Sequence, residues 1–274
     1  MPLSCNLELS KILDTMSKSL TEIWSLFSRK HFSPYKVYVR RDLKLVVCLN
    51  PKVGSTSFRS ILVEGLKRQN MSPMRSRIWP MNETRRFMTA SIRDYIHAFR
   101  NPTDYEFHCF VRNPFTRAIS AWNDKLVKGH HEGWPRSMVK LMPVIRAFAK
   151  ANNLQGSDPD EVVSFDTFFH FVESLPEGKR NQHWDTQTSV LHADFIDYDH
   201  IHQMESDFST GVCSILTAVG IDPDWAREVV SKPRNSSGKK DTSVLNQGIA
   251  DRMIALYQPD FANFGYNVES WRDL

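Results

Sequence analysis

The segment that most constrains this chain is Leu45-Val46-Val47-Cys48-Leu49-Asn50-Pro51-Lys52-Val53-Gly54-Ser55-Thr56-Ser57-Phe58. Leu45 to Leu49 are apolar, the run stops at Asn50-Pro51, and Phe58, Ile61, Leu62 and Leu66 then recur at helical spacing. This pattern predicts a buried strand, a tight loop and a helix N-terminus. Backbone N–H groups from Gly54 to Ser57, the Ser55, Thr56 and Ser57 hydroxyls, the positive end of the helix dipole and the Lys52 ammonium would converge on one point, where an anion belongs. In a Walker A loop the lysine follows the glycines of a G-x-x-x-x-G frame and is itself followed by the metal-binding hydroxyl. Here Lys52 precedes Gly54 and no such frame exists, an order wrong for a kinase or an NTPase.

A second segment repeats the strand, turn and helix design. Glu106-Phe107-His108-Cys109-Phe110-Val111 reads as a strand, and Asn113 is a natural N-cap with Pro114 at the first helical position. Arg112 then stands at the strand's C-terminal end and Ser120 two turns into the helix. Ligands of open α/β sheets collect at the C-terminal ends of parallel strands, so two such loops on neighbouring strands could grip the two ends of one nucleotide.

Together these segments resemble the sulfotransferases. Pro51, Lys52, Ser55, Thr56 and Phe58 match the family's 5′-phosphosulfate loop, Pro-Lys-x-x-Ser/Cys-Thr-x-Phe/Trp. Val111, Arg112, Asn113, Pro114, Arg117, Ser120 and Trp122 are similar to its 3′-phosphate motif, and the likeness is greatest to the Golgi-type carbohydrate enzymes (chondroitin 4-O, HNK-type and heparan 2-O). Further echoes are His183-Trp184 with Gln187, the Phe195-to-Asp199 run with Met204-Glu205, and Tyr257-Gln258-Pro259-Asp260-Phe261 leading to Phe264-Gly265-Tyr266. The middle, roughly residues 67 to 180, has no clear counterpart.

The resemblance implies a P-loop-like three-layer α/β fold with a central parallel sheet flanked by helices. It implies 3′-phosphoadenosine 5′-phosphosulfate (PAPS) as donor, a hydroxyl-bearing acceptor, most naturally a glycan, and no metal. Lys52 would stabilise charge on the departing 5′-phosphate oxygen. Val53, Gly54, Ser55, Thr56 and Ser57 would hold that phosphate, and Arg112 and Ser120 the 3′-phosphate, with Arg117 structural or secondary. Arg234, Ser236 and Lys239, in the basic stretch 231–243, would be late donor contacts, although an ordinary solvated loop reads equally well. For the general base, His183 leads, followed by His97 and Glu64; His108, His130 and His131 are further competitors.

A chain of 274 residues with 41% hydrophobic content can bury a full core, and a single domain over 31–274 is expected. Residues 1–30 carry Leu9, Ile12, Leu13, Met16, Leu20, Ile23, Trp24 and Phe27 at helical spacing, an amphipathic helix too polar for a membrane span. It would pack on the domain or on a partner subunit, giving a homo-oligomer. Golgi relatives carry a membrane anchor for which this sequence shows no counterpart, so the expected location is cytoplasmic, or the Golgi lumen for a chain whose anchor has been removed. Net charge is only +4, yet seven arginines between Arg68 and Arg100 face just Glu83 and Asp94. That window suits an acidic glycan, the nucleotide or a solvated face; no nucleic-acid recognition signature accompanies it. Cys5, Cys48, Cys109 and Cys213 have no metal-type spacing, and free buried thiols are expected at Cys48 and Cys109.

The coarse plan is strands at 44–49, 106–111 and 194–198 and helices at 55–68, 114–128, 137–150, 164–174, 205–219 and 244–258. Phe195-Ile196-Asp197 looks like a Walker B strand ending in a magnesium-binding Asp and keeps an NTPase as the rival reading. A non-catalytic glycan- or nucleotide-binding relative is the other.

Overall fold

The computed structural model describes residues 18–71, 83–134, 136–176, 178–232 and 241–274. Arg234, Ser236 and Lys239, Cys5 and the centre of the arginine-rich window lie outside these residues. In chain order the described helices are α1 (Leu20–Ser28), α2 (Ser55–Arg68), α3 (Glu83–Met88), α4 (Ile92–Arg100), α5 (Pro114–Trp122), α6 (Lys128–Glu132) and α7 (Arg136–Val139). They continue with α8 (Met142–Ala151), α9 (Phe165–Ser174), α10 (Gln187–Leu191), α11 (Phe208–Ala218), α12 (Pro223–Ser231) and α13 (Gln247–Phe264). The chain divides into two compact units, one of Met1–Asn50, Gly54–Val111 and Val190–Asn235, the other of Pro51–Val53, Arg112–Ser189 and Ser236–Leu274.

The first unit is built on a four-stranded sheet of β1 (Val37–Arg40), β2 (Leu45–Cys48), β3 (Glu106–Val111) and β4 (His200–Gln203), in that order. β2, β3 and β4 run parallel, but β1 is antiparallel to β2, so the sheet is mixed rather than wholly parallel. The short turn Arg41–Lys44, with Lys44 at φ 53°, suffices for this because an antiparallel neighbour needs no crossover. Every residue of β2 is buried, the continuous apolar run that a strand covered on both faces requires. α2 buries Phe58, Ile61, Leu62 and Leu66 as its spacing predicts, and the Phe58 ring lies 5.5 Å from that of Phe110 on β3. Burying each such side chain stabilises the fold by roughly 1.5–3 kcal/mol before entropy is counted. Cys48 and Cys109 stand side by side in register as buried free thiols.

One expectation fails in this unit. Residues 194–198 are not a strand: the amides of Phe195 and Ile196 both bond to the His192 carbonyl in a turn, and the fourth strand is His200–Gln203. Asp197 therefore does not end a strand, and the Walker B likeness goes with it. Of the amphipathic run from Leu9 to Phe27, residues 9–17 lie outside the described residues; beyond them Ser19 forms a capping box with Glu22 and α1 starts at Leu20. Ile23 and Leu26 are its buried positions, while Leu20 and Trp24 are exposed.

The second unit is helical, and its core is aromatic: Phe115, Phe165, Phe168, Phe169, Trp184, Tyr257 and Phe261 are buried together. The expected helix 114–128 leaves α geometry after Trp122, with Asn123–Val127 forming a π-helical turn. The expected helix 137–150 divides at Leu141 ahead of Pro143, which sits in the first turn of α8, where a missing N–H costs nothing. α13 runs past Pro259 to Phe264 and absorbs it by a kink at Tyr257 (φ −100°, ψ 16°).

Candidate active site

The loop after β2 carries positive φ at Lys52 (71°) and at Gly54 (75°). A left-handed lysine is strained by about 1–3 kcal/mol, the kind of strain that persists at functional turns. Gly54 is the N-cap of α2, and it supplies no side-chain cap to the helix. A Cβ at Gly54 would meet the Phe208 ring at 2.8 Å, so both backbone and packing demand glycine. Beyond it Thr56 is exposed and Ser57 buried.

Lys52 Nζ lies 3.0 Å from Asp124 Oδ2, and the same oxygen is 3.0 Å from Lys125 Nζ. Both partners belong to the π-helical turn. Burial pulls the Lys52 pKa below its ordinary value, opposed by Asp124 and assisted by the charges of Lys125 and Arg112. For Asp124, burial acts upward, and Lys125 and Lys52 outweigh it to hold the carboxyl below its usual range. Two ammonium groups thus share one carboxylate.

Arg112 follows the last residue of β3, as expected. Its Nη1 donates to the Lys52 carbonyl at 3.1 Å and its Nε to Thr116 Oγ1 at 3.0 Å. Thr116 and Ser120 are four residues apart on α5, so the guanidinium and the 94%-buried Ser120 belong to one helical stripe. The Arg112 main chain is held by Gln187, whose Oε1 accepts from Arg112 N at 2.9 Å and whose Nε2 donates to Arg112 O at 2.8 Å. Gln187 is held in turn by the buried Asp260, whose two oxygens accept from Gln187 N and Thr188 N at 2.8 Å each. Arg117 is buried and donates to the carbonyls of Pro51, Asp185 and Gln182 at 3.3, 2.7 and 2.9 Å. It braces the lysine loop against the 182–185 segment, a structural role.

His183 is in this setting too. Its Nδ1 lies 2.7 Å from Asn181 Oδ1, which can only accept, so the proton sits on Nδ1 and Nε2 keeps its lone pair. Burial, with the charges of Lys125, Lys52 and Arg117, lowers its pKa to about 3. The imidazole is neutral across the physiological range. The other base candidates have different surroundings: His97 Nδ1 pairs with Tyr105 OH at 2.8 Å, His108 is in β3, Glu64 is on α2, and His130 and His131 are on α6. Sequence reasoning missed Asp124 and Lys125, which no motif marks. Gln187 and Asp260 were visible as motif echoes but without a role.

These features have a counterpart in known proteins. The chain belongs to the sulfotransferase family, whose profile matches residues 35–267 and so spans Lys52, Arg112, Ser120 and His183. Carbohydrate sulfotransferase 11 of Rattus norvegicus is 24% identical over 247 residues, covering 86% of this chain and 68% of that protein. Carbohydrate sulfotransferase 10 of Danio rerio is 24% identical over 298 residues, covering 97% and 76%, and carbohydrate sulfotransferase 12 of Mus musculus 27% over 172 residues, covering 59% and 40%. The expected family is thereby borne out, and the protein is an O-sulfotransferase. Among the described residues no helix is long and apolar enough to cross a membrane.

Proposed function

We propose that this enzyme moves a sulfo group from PAPS to a hydroxyl of a carbohydrate, releasing adenosine 3′,5′-bisphosphate. The observation that carries the reading is the hydrogen bond from Arg112 Nη1 to the Lys52 carbonyl, because it joins the two anion-binding motifs in one arrangement. Within the second unit the groups present suit a donor with phosphates at both ends: the Lys52 and Lys125 ammoniums, and the Arg112 guanidinium with Thr116 and Ser120 beside it on α5. The names of the similar carbohydrate sulfotransferases support a sugar acceptor.

When bound, the donor supplies a sulfonate whose bond to the 5′-phosphate oxygen breaks as the acceptor oxygen attacks in line. Lys52 stabilises the negative charge growing on that phosphate oxygen, and the Gly54–Ser57 amides and hydroxyls hold the phosphate. Asp124 keeps the Lys52 ammonium positioned and charged until an anion competes for it. Arg112 and Ser120 hold the 3′-phosphate. His183 Nε2 accepts the acceptor's hydroxyl proton, and its weak basicity rises when an anionic donor offsets the neighbouring cations.

The test is transfer of labelled sulfate from PAPS to a panel of glycans, with thermal shift by adenosine 3′,5′-bisphosphate against ATP plus magnesium as a companion. Label in a glycan and a shift by the bisphosphate are expected. Stabilisation by ATP plus magnesium alone, or the absence of label from every acceptor, would overturn the proposal.

A further inference from the structure

At the other end of β3 from Val111, the first unit carries a histidine cluster for which sulfo transfer has no use. His108 of β3 is in register with His200 of β4, and Glu106 and His202 lie two residues from them on their own strands. Side chains alternate along a strand, so all four fall on one face of the sheet. One donor atom from each of Glu106, His108 and His200 lies within 4.8 Å of the other two. The His108 side chain is 93% buried, and its Nε2 is buried without a hydrogen-bond partner. A carboxylate oxygen of Glu106 is 3.7 Å from that nitrogen, too far for a hydrogen bond.

The protons of the cluster give this nitrogen its meaning. Asp207 Oδ2 lies 3.6 Å from His202 Nδ1, an ion-pair distance longer than a hydrogen bond. His202 Nε2 is 3.1 Å from His108 Nδ1, and in the tautomer that metal ligation requires His108 Nδ1 is the donor of that pair. His108 is left with the lone pair on Nε2, facing a carboxylate oxygen. A cation between this buried nitrogen and the exposed carboxylate would satisfy both. The carboxylate, histidine, histidine sequence is also the outer support that metal-ligating imidazoles generally have.

We propose that Glu106, His108 and His200 bind a divalent transition-metal ion of zinc-like chemistry at the start of β3 and β4. Two imidazoles and a carboxylate suit Zn²⁺, Co²⁺ or Ni²⁺ better than Mg²⁺ or Ca²⁺, with water completing the shell. Ligand atoms about 2.0–2.1 Å from such an ion stand roughly 3.3 Å apart, so the cluster must contract slightly. Glu106 and His200 are exposed and can do so by side-chain rotation, while His108 is the fixed member. The ion would tie the four-residue edge strand β4 to β3, with its fixed ligand His108 about 10 Å along β3 from Val111. It serves the sheet and not sulfo transfer, for which no metal is needed.

The experiment uses the full chain without an affinity tag, stripped by a chelator. It is titrated with Zn²⁺ by calorimetry and with Co²⁺ by visible absorption, and its thermal midpoint is read with and without Zn²⁺. One ion per chain is expected, with a thermal midpoint that rises on zinc addition as linkage requires. His200→Ala and Glu106→Gln, both at exposed positions, should each weaken the ion at least about tenfold while leaving the zinc-free midpoint unchanged, and His202→Ala should weaken it by about tenfold through His108. The proposal is overturned if no saturable binding occurs, or if affinity survives in His200→Ala and Glu106→Gln. Loss of the site in a His130→Ala, His131→Ala variant instead would also overturn it, by locating the ion on α6.

Discussion

Gln187 and Arg112 exchange two hydrogen bonds, the amide side chain of one closing both the N–H and the C=O of the other at 2.9 and 2.8 Å. Arg112 has just left β3, where strand pairing ends, and the Gln187 amide stands in for the neighbouring strand that its main chain no longer has. Asp260 fixes Gln187, and Tyr257 OH donates to the Trp184 carbonyl at 2.8 Å, so two motif echoes far apart in sequence form one clamp behind a single arginine.

Gln187→Ala leaves two part-buried backbone groups of Arg112 without this partner, at a cost of about 1–3 kcal/mol. Chemical denaturation should show that loss. Affinity for adenosine 3′,5′-bisphosphate should fall more than affinity for an analogue lacking the 3′-phosphate. Equal losses for the two ligands would separate the clamp from Arg112's proposed role.

Lys52→Ala should reduce turnover by about 10²–10³-fold, the size of effect seen when one donor to a developing anion is removed. Binding of the bisphosphate should fall much less, since the α2 amides and Arg112 remain. Near-normal transfer of labelled sulfate by the variant would remove Lys52 from the chemistry.

Asp124 raises the pKa of Lys52 against the pull of burial. In Asp124→Asn the lysine titrates lower still, and its charged form is lost at a lower pH. The alkaline limb of kcat/KM, which reports the free enzyme, should therefore move to lower pH, and an unmoved limb would show that Lys52 is not the titrating group.

His183 and His192 are held neutral, with pKa values lowered to about 3 and about 4, burial being the leading cause at both. The unfolded chain takes up these protons near pH 6.5 and the folded chain does not, so stability is full above about pH 6.5 and falls as the pH drops towards 4. Each histidine contributes a slope of up to roughly 1.4 kcal/mol per pH unit. Asp260, raised by burial, acts with the opposite sign in acid and offsets part of the loss. Denaturation midpoints between pH 7 and 4 should show the decline, and His192→Asn, which tolerates the positive φ of 55°, should flatten it.

Gly54→Ala should lose both stability and donor affinity, because it places a side chain at φ 75° and 2.8 Å from the Phe208 ring. Phe208→Leu in the same chain should restore part of the stability by relieving the ring contact and leave the backbone strain. Retention of full stability in the single variant would contradict the loop geometry.

The parts legible in the sequence were those whose signal is local. β2, α2 and β3 lie where an apolar run, a glycine and a helical spacing put them, and α2 and β3 agree with expectation to the residue. β4 was misplaced because Phe195-Ile196-Asp197-Tyr198 has the apolar content of a strand, whereas His200-Ile201-His202-Gln203 pairs through its backbone and buries chiefly His202. β1 went unread because four residues, Val37-Tyr38-Val39-Arg40, are too few for periodicity to register. In the site, Lys52 and Arg112 were found from motifs, while Asp124 and Lys125 were not. Their relation to Lys52 depends on a π-helical turn, which changes which residues face one another and leaves no mark in composition.

That turn carries an evolutionary corollary. Asn123–Val127 winds more loosely than the α-helices on either side, closing with the bond from Lys128 N to the Asn123 carbonyl five residues back. Excising one residue there would return the segment to ordinary winding and change which side chains of the turn face Lys52, parting the carboxylate from one of its two ammonium partners. A homologue shortened by one residue in this place would need another anion beside its loop lysine, and that exchange is a signature to seek in an alignment.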